Sequence, residues 1–529
     1  MHKTTSFLCL LVIAMQPASA QELLPDAQRT STWFIDGAQA VEQAARREDP
    51  KGKARNIILF VGDGMSVTTT TAARILAGQQ AGGPGEEHVL SFERFPHTGL
   101  VKTYNTDAQV PDSAGTMSAM MTGAKTNIGM LGVGPDAVRE SCTSQQEHTL
   151  PSYLELAELN GMATGVISTA RLTHATPAAT YSKAVNRGWE DVSDMPPAVV
   201  ADGCEDIAAQ FVGLADRLST HFGIAVDGIE VAFGGGRRHF LPADSRFNSP
   251  DASSDVEGDR TDGRHLINEW LEQNPEGRYV MDRDGFDAID TSKSGPVLGL
   301  FSESHMRYSA DRLNDEAGEP SLAEMTRTAI ELLRQEPDGF FLMVEGGRID
   351  HAHHAGSAYH ALHDTLALDA AVAVASEMTN VEDTLIIVTA DHGHVLTMGG
   401  YAKRGNPILG LASRGGEPNL AADSLPYTTL SYANGPGMRF FPGITSPDQA
   451  PRQLGKPREA RVDLSQVDTT APGFFQQSLV PLPSETHSGD DVAVYARGPG
   501  AQTLNGVIEQ SAVFDLLNSA RNMTEQIDE

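Results

Sequence analysis

Residues 343 to 354 read Met-Val-Glu-Gly-Gly-Arg-Ile-Asp-His-Ala-His-His, an apolar run that ends in Glu345 and is followed by Asp350 and His354 four positions apart. On a helix, positions i and i+4 share one side, so a carboxylate and a neutral imidazole at that spacing can grip one borderline cation such as zinc. A second stretch, Leu385-Ile-Ile-Val-Thr-Ala-Asp391-His392-Gly-His394, repeats the theme. One histidine beside a carboxylate is most often a surface residue or a satisfied core residue. Glu345, Asp350, His354, Asp391 and His392 together, grouped at the ends of two apolar runs, make a metal centre the stronger reading. Several carboxylates facing one crevice repel each other and stay ionised only when multivalent cations neutralise them, so more than one metal is implied. Such a crevice suits an anionic substrate, with phosphate the foremost candidate.

A nucleophile is available in Pro111-Asp112-Ser113-Ala-Gly-Thr-Met-Ser118, where Ser113 stands among small residues just before an expected helix through Met121. At a helix start the backbone N–H groups favour an anion, and a neighbouring metal can hold the serine ionised without a general-base histidine. The local sequence alone fits a plain helix-capping serine better than a nucleophile.

The elements that must position these groups are short apolar runs ending abruptly in polar or small residues: Asn56 to Asp63, Ala163 to Thr169, Gly339 to Glu345 and Thr384 to Asp391. They read as strands buried on both faces. Amphipathic stretches such as Leu322 to Leu333 and His363 to Met378 separate them, which gives an α/β fold with a mostly parallel central sheet flanked by helices on both faces. Ligands in that architecture gather beyond the carboxyl ends of the strands, where Asp63, Glu345 and Asp391 all fall. Two regions read as surface excursions: residues near 245 to 295, rich in Asp, Gly, Ser and Arg, and residues near 400 to 480, with many Gly and Pro. The acids Asp251, Asp255, Glu257, Asp259 and Asp262 fit a solvated loop better than a calcium site.

At the N-terminus, Lys3 precedes an apolar run from Phe7 to Met15 and the small-x-small pattern Ala18-Ser19-Ala20, so residues 1 to 20 read as a secretory signal and the address as periplasmic or secreted. The run is too short for a membrane span, which takes about 20 apolar residues. Removing it takes Cys9 away and leaves Cys142 and Cys204. An oxidising compartment favours one disulfide between them, with two buried thiols as the alternative. The formal net charge of −31 argues against nucleic acid or an anionic membrane as partner.

Five motifs taken in order carry a family resemblance: Phe60-Val-Gly-Asp63-Gly-Met, Pro111-Asp-Ser113-Ala-Gly-Thr, Glu345-Gly-Gly-Arg-Ile-Asp350-His-Ala-His-His354, Thr389-Ala-Asp391-His392 and Glu485-Thr-His487-Ser-Gly-Asp-Asp-Val. The chain resembles the alkaline phosphatases, the animal-type branch more than the enterobacterial one. The resemblance implies one catalytic domain over residues 21–529, with a crown-type insertion at about 400–480. It implies two Zn2+ and one Mg2+ per subunit. Asp350, His354 and His487 would hold the first zinc, Asp391, His392 and Asp63 the second beside Ser113, and Glu345, Thr176 and Asp63 the magnesium. Arg187 matches the phosphate-binding arginine, and His174 and His351 match positions next to the magnesium ligands. Phosphate monoesters would be cleaved through a covalent phosphoserine at Ser113 that water then hydrolyses.

The extra Ca2+ of animal relatives is not carried over in full, because Ser302 stands where an acidic ligand would be matched, leaving Phe301 and Glu319. The polar run Asn522 to Glu529 implies no lipid anchor. The crown region and the helical spacing of Trp33 to Arg46, with Trp33, Phe34, Ala38 and Val41 on one side, imply a homodimer. Three rival readings fit less well. Sulfatases need a modifiable Cys or Ser in a different local motif, diesterases usually keep only two metals, and a metal- or phosphate-binding protein without turnover needs no serine at a helix start.

Overall fold

The computed structural model describes residues 25–451 and 461–524, so the expected secretory segment 1–20 lies outside the described residues. The chain divides into two units, residues 1–48 and 49–529. In the first, helix α1 (Thr32–Ala45) forms as its spacing predicts, and Trp33, Phe34, Ile35 and Val41 are all exposed.

The second unit is built on a ten-stranded sheet. Its strands are β1 (Asn56–Gly62), β2 (His97–Lys102), β3 (Ala163–Arg171), β4 (Val231–Gly235), β5 (Arg278–Val280), β6 (Val297–Leu300), β7 (Phe340–Gly346), β8 (Thr384–Ala390), β9 (Val492–Arg497) and β10 (Val507–Glu509). Across the sheet they run β10-β2-β9-β8-β1-β7-β3-β4-β6-β5. Only β9 is antiparallel to its neighbours, and every other pairing is parallel.

The central strands are apolar throughout because both faces are covered. On β7, Phe341 packs edge-on to Tyr153 at 5.2 Å, whereas the next residue, Leu342, turns to the opposite face. There it meets Leu333 over Gly165, where a Cβ would sit 2.8 Å from Leu342 and 2.9 Å from Leu333. Helix α2 (Ser113–Thr122) belongs to the Tyr153 side, while α3 (Leu322–Leu333) and α5 (Ala358–Met378) pack together on the other. A capping box between Ser321 and Glu324 starts α3. Helix α4 (Arg348–His354) follows β7 directly and carries the Asp350/His354 pair.

Strand register brings the polar strand ends into line. Val61 pairs with Glu345 on one side and Thr389 on the other, and Ser168 pairs with Glu345. Asp63, Glu345 and Asp391 therefore sit at one edge of three adjacent strands.

The region 245–295 is not a surface excursion throughout. It supplies β5 at the sheet edge and the helix Leu266–Gln273, and it buries Trp270 and Phe286 in the main core. A three-residue strand and an eight-residue helix are too short to show a period in a background of Asp, Gly and Arg. Its acids are not all solvated either. Buried Arg237 pairs with Glu257 and Asp251, and buried Arg260 pairs with Asp206 and Asp262. The region near 400 to 480 contributes two strands of a small three-stranded sheet, Leu396–Met398, Leu430–Gly435 and Ser478–Pro481. Cys142 and Cys204 are joined as a disulfide, with their Cα atoms 5.5 Å apart.

Candidate active site

The turn after β1 is set by Gly64, which has φ +71°. A Cβ there would lie 2.3 Å from the His394 ring, so only glycine lets the backbone approach. The Gly64 N–H donates to Asp391 Oδ1 at 3.0 Å and ties the ends of β1 and β8 together. Asp112 caps α2 and does more than cap it. Its Oδ1 accepts from the N–H of Gly115 and of Gly129 and from Asn105, and its Oδ2 takes the Arg187 guanidinium at 3.0 Å. One carboxylate thus fixes the helix start that bears Ser113 and the arginine beside it. Burial opposes ionisation of Asp112, but Arg187 and the two amides outweigh burial and hold it below the ordinary carboxylate range. The other end of Arg187 donates to His174 Nε2 at 3.1 Å.

Ser113 is buried, with Oγ 3.1 Å from His392 Nε2 and 3.5 Å from Asp63 Oδ1. His392 Nε2 lies 3.3 Å from Asp63 and 3.4 Å from Asp391. On the far side, Asp350 Oδ1 lies 3.3 Å from Nε2 of both His354 and His487. Those two nitrogens are 3.1 Å apart. Each histidine donates Nδ1–H to a backbone carbonyl, His354 to Glu485 at 2.7 Å and His487 to Pro111 at 2.8 Å. A carbonyl only accepts, so in the neutral imidazoles both Nε2 atoms turn lone pairs toward each other, an arrangement that a cation between them satisfies. Bonds of about 2.0–2.1 Å to a tetrahedral zinc place ligand atoms about 3.3 Å apart, the spacing found here.

A third set is oxygen-rich. Asp63 Oδ2, Thr176 Oγ1 and Glu345 Oε1 are all buried and lack hydrogen-bond partners. Ser168 donates to the other Glu345 oxygen. Burial, then Asp391, Asp350 and Glu345, push the Asp63 carboxyl well above its ordinary value, and burial first pushes Glu345 up to about 7. These are carboxylates crowded beyond what protein charges balance, and a hard divalent cation suits them. The imidazoles fit the same picture. Burial pulls His392 well below its ordinary value and His174 to about 3, leaving both neutral and able to ligate.

The metal-ligand, nucleophile and phosphate-binding residues expected from sequence lie together here: Asp63, Thr176, Glu345, Asp350, His354, Asp391, His392 and His487, with Ser113 and Arg187. His174 stands closer than expected, because one of its ring nitrogens clusters with Asp63 and Glu345 and its Nδ1 is without a partner. His351 keeps to the side, accepting from Arg348 at 3.1 Å and packing 5.3 Å from the His174 ring. The sequence pattern assigns His394 no role, although it closes the stretch that holds Asp391 and His392. Its Nε2 is 2.7 Å from Asp350 and its Nδ1 faces Glu485. Burial works against its proton, but Glu485 and Asp350 push it up to about 10. Asp112 and Glu485 stand inside the motifs, but the partners that give them a role, Arg187 and His394, are 75 and 91 residues away.

A family model described as alkaline phosphatase matches residues 54–523. The chain is 41% identical over 509 residues to the tissue-nonspecific isozyme of alkaline phosphatase from Gallus gallus, covering 95% of this chain and 92% of that one. It is 42% identical over 466 residues to alkaline phosphatase from Gadus morhua, covering 88% and 91%. Among solved structures, alkaline phosphatase from Thermus thermophilus shares the fold at TM-score 0.60 and 23% identity, over 95% of this chain and 96% of that one. The enzyme from the Antarctic bacterium TAB5 does so at TM-score 0.58 and 19% identity, over 89% and 100%.

Proposed function

The chain belongs to the alkaline phosphatase family, and from that premise we propose that it hydrolyses phosphate monoesters through a covalent phosphoserine at Ser113, using two zinc ions and one magnesium ion per subunit. Asp350, His354 and His487 would hold the first zinc; Asp63, Asp391 and His392 the second; Asp63, Glu345 and Thr176 the magnesium. The observation that carries this reading is the convergence of His354 Nε2 and His487 Nε2, 3.1 Å apart, on Asp350 Oδ1 at 3.3 Å from each. When bound, the metals supply Lewis acidity, positive charge that favours an ionised serine and balances the transferring phosphoryl group.

The chain's own groups do the rest. The amides at the start of α2 favour negative charge at Ser113. Arg187, clamped by Asp112, offers its planar fork to the nonbridging oxygens of the phosphoryl group. The Ser113 Oγ–P bond forms as the bond to the ester oxygen breaks, and the alcohol departs on the side of Asp350, His354 and His487. Water then attacks phosphorus in line, releases inorganic phosphate and restores the serine.

A reading with His392 as general base to Ser113 has the 3.1 Å contact in its favour. Two carboxylate oxygens crowd that same nitrogen, which suits a cation better than a proton relay. The test compares an aryl phosphate monoester, its diester and its sulfate analogue at alkaline pH with zinc and magnesium, before and after chelation. Monoester preference abolished by chelation supports the metal reading; chelator-resistant turnover supports the His392 base; preference for diester or sulfate overturns the activity.

We read residues 21–529 as one catalytic domain of a periplasmic or secreted homodimer, supported by the exposed apolar side of α1 and the disulfide. Among the described residues no helix is long and apolar enough to cross a membrane. A monomer by light scattering would refute the dimer.

A further inference from the structure

Beside the Asp350, His354 and His487 set lies a cavity of about 690 Å3 lined by His305, Tyr308, Arg348, His351, Arg439 and Phe475, with His354 itself on its wall. That volume holds a small organic group. Its two guanidinium groups are not equivalent. Arg348 pairs with Asp448 and lies over the Tyr308 ring at 3.7 Å, so its charge is answered within the protein. Arg439 lies over Phe475 at 4.5 Å and donates one hydrogen bond, to the Ala355 carbonyl at 2.8 Å. Its Nε is buried without a partner. No ion pair joins Arg439 to an acid among the described residues, which leaves one unbalanced positive charge on the cavity wall. A guanidinium over an aromatic ring, with donors to spare and no acid to balance its charge, is suited to an oxyanion.

We infer that this cavity receives the alcohol part of the ester, and that Arg439 selects phosphate monoesters whose alcohol carries a second anionic group, a carboxylate or a further phosphate. The inference rests on the proposed activity, because the departing alcohol must leave on the side of His354. It adds a specificity-determining residue outside the metal and phosphoryl contacts.

The test uses the full metal-loaded chain and a graded set of aryl phosphates. These are phenyl phosphate, 4-carbamoylphenyl phosphate, 4-carboxyphenyl phosphate with homologues that extend the carboxylate by one and two methylenes, and 1,4-phenylene bisphosphate. The readout is the ratio of kcat/KM for each anionic substrate to that for its neutral partner, which cancels any general loss of activity. Removing one charge-assisted contact should lower that ratio about tenfold in Arg439→Met for at least one chain length. Arg439→Lys should keep most of it. A gain for the carboxylates identifies a carboxylate site, and a gain confined to the bisphosphate identifies a phosphate site. Ratios equal in wild type and Arg439→Met for every substrate, or equal in Arg439→Lys and Arg439→Met, overturn the inference. Absence of phenyl phosphate turnover by the wild type would instead overturn the proposed activity.

Discussion

Replacing Asp112 with Asn should damage phosphate handling while sparing the helix it caps. Asparagine is as good an N-cap as aspartate, so the hydrogen bond to Gly115 and the start of α2 should survive. What is lost is the charge that holds Arg187. A hydrogen bond to a charged group contributes about 1.5–3 kcal/mol. The two side chains are 13% and 26% exposed, so solvent screening places the pair near the lower end of that range. If that energy sets how often Arg187 occupies its productive position, kcat/KM on an aryl phosphate should fall about 10- to 30-fold. The inhibition constant of inorganic phosphate should rise by a similar factor. The decisive assay is the double-mutant cycle with Arg187→Ala, on which the loss should be about 100-fold or more. Because Asp112 acts through Arg187, the double variant should be no worse than Arg187→Ala alone. A double variant whose losses multiply would refute the reasoning, as would Asp112→Asn activity within twofold of wild type.

Ser113→Ala should remove most turnover while zinc and magnesium contents, read by elemental analysis, stay close to wild type; unimpaired turnover would exclude Ser113 as nucleophile. Burial, reinforced by Asp227 and opposed by the Thr164 hydroxyl, pushes the Glu158 carboxyl up to about 7. A raised carboxyl favours folding fully below the ordinary glutamate value near 4.5, and that contribution fades as pH climbs through about 7. Denaturant melts of Glu158→Gln should therefore show less loss of stability between pH 5 and pH 8 than wild type, and an unchanged slope would count against it. The 62-residue span between Cys142 and Cys204 should give the disulfide about 4 kcal/mol by loop-closure entropy, so the Cys142→Ser, Cys204→Ser double variant should melt at clearly lower denaturant.

The sheet was readable because strands buried on both faces must be apolar along their whole length, and the runs at 56–63, 163–169, 339–345 and 384–391 say so in letters. The helix Leu322–Leu333 matched its period residue for residue. β5 escaped because three residues, Arg278-Tyr-Val, carry no period, and its neighbour Trp270 is buried from a stretch that is otherwise polar. At the site, side chains that change the chemistry of a motif were legible, and backbone partners were not. The carbonyls of Pro111 and Glu485 set the tautomers of His487 and His354, yet a carbonyl leaves no trace in residue type. His394 failed to stand out for a related reason. Its value lies in bridging Asp350 and Glu485, which are 44 and 91 residues away. The Asp112 carboxylate looks like a routine cap until the fold brings Arg187 to it from 75 residues away.

The covalent route turns on where the phosphoryl group rests between the two half-reactions. Metal-loaded protein mixed with an aryl phosphate, quenched in acid within the first turnovers and digested, should yield a peptide spanning residues 111–118 that is heavier by one phosphoryl group, localised to Ser113 by fragmentation. The same mark should be absent after chelation and in Ser113→Ala. Turnover without phosphate on any residue of that peptide, or phosphate carried on a different side chain, would contradict it.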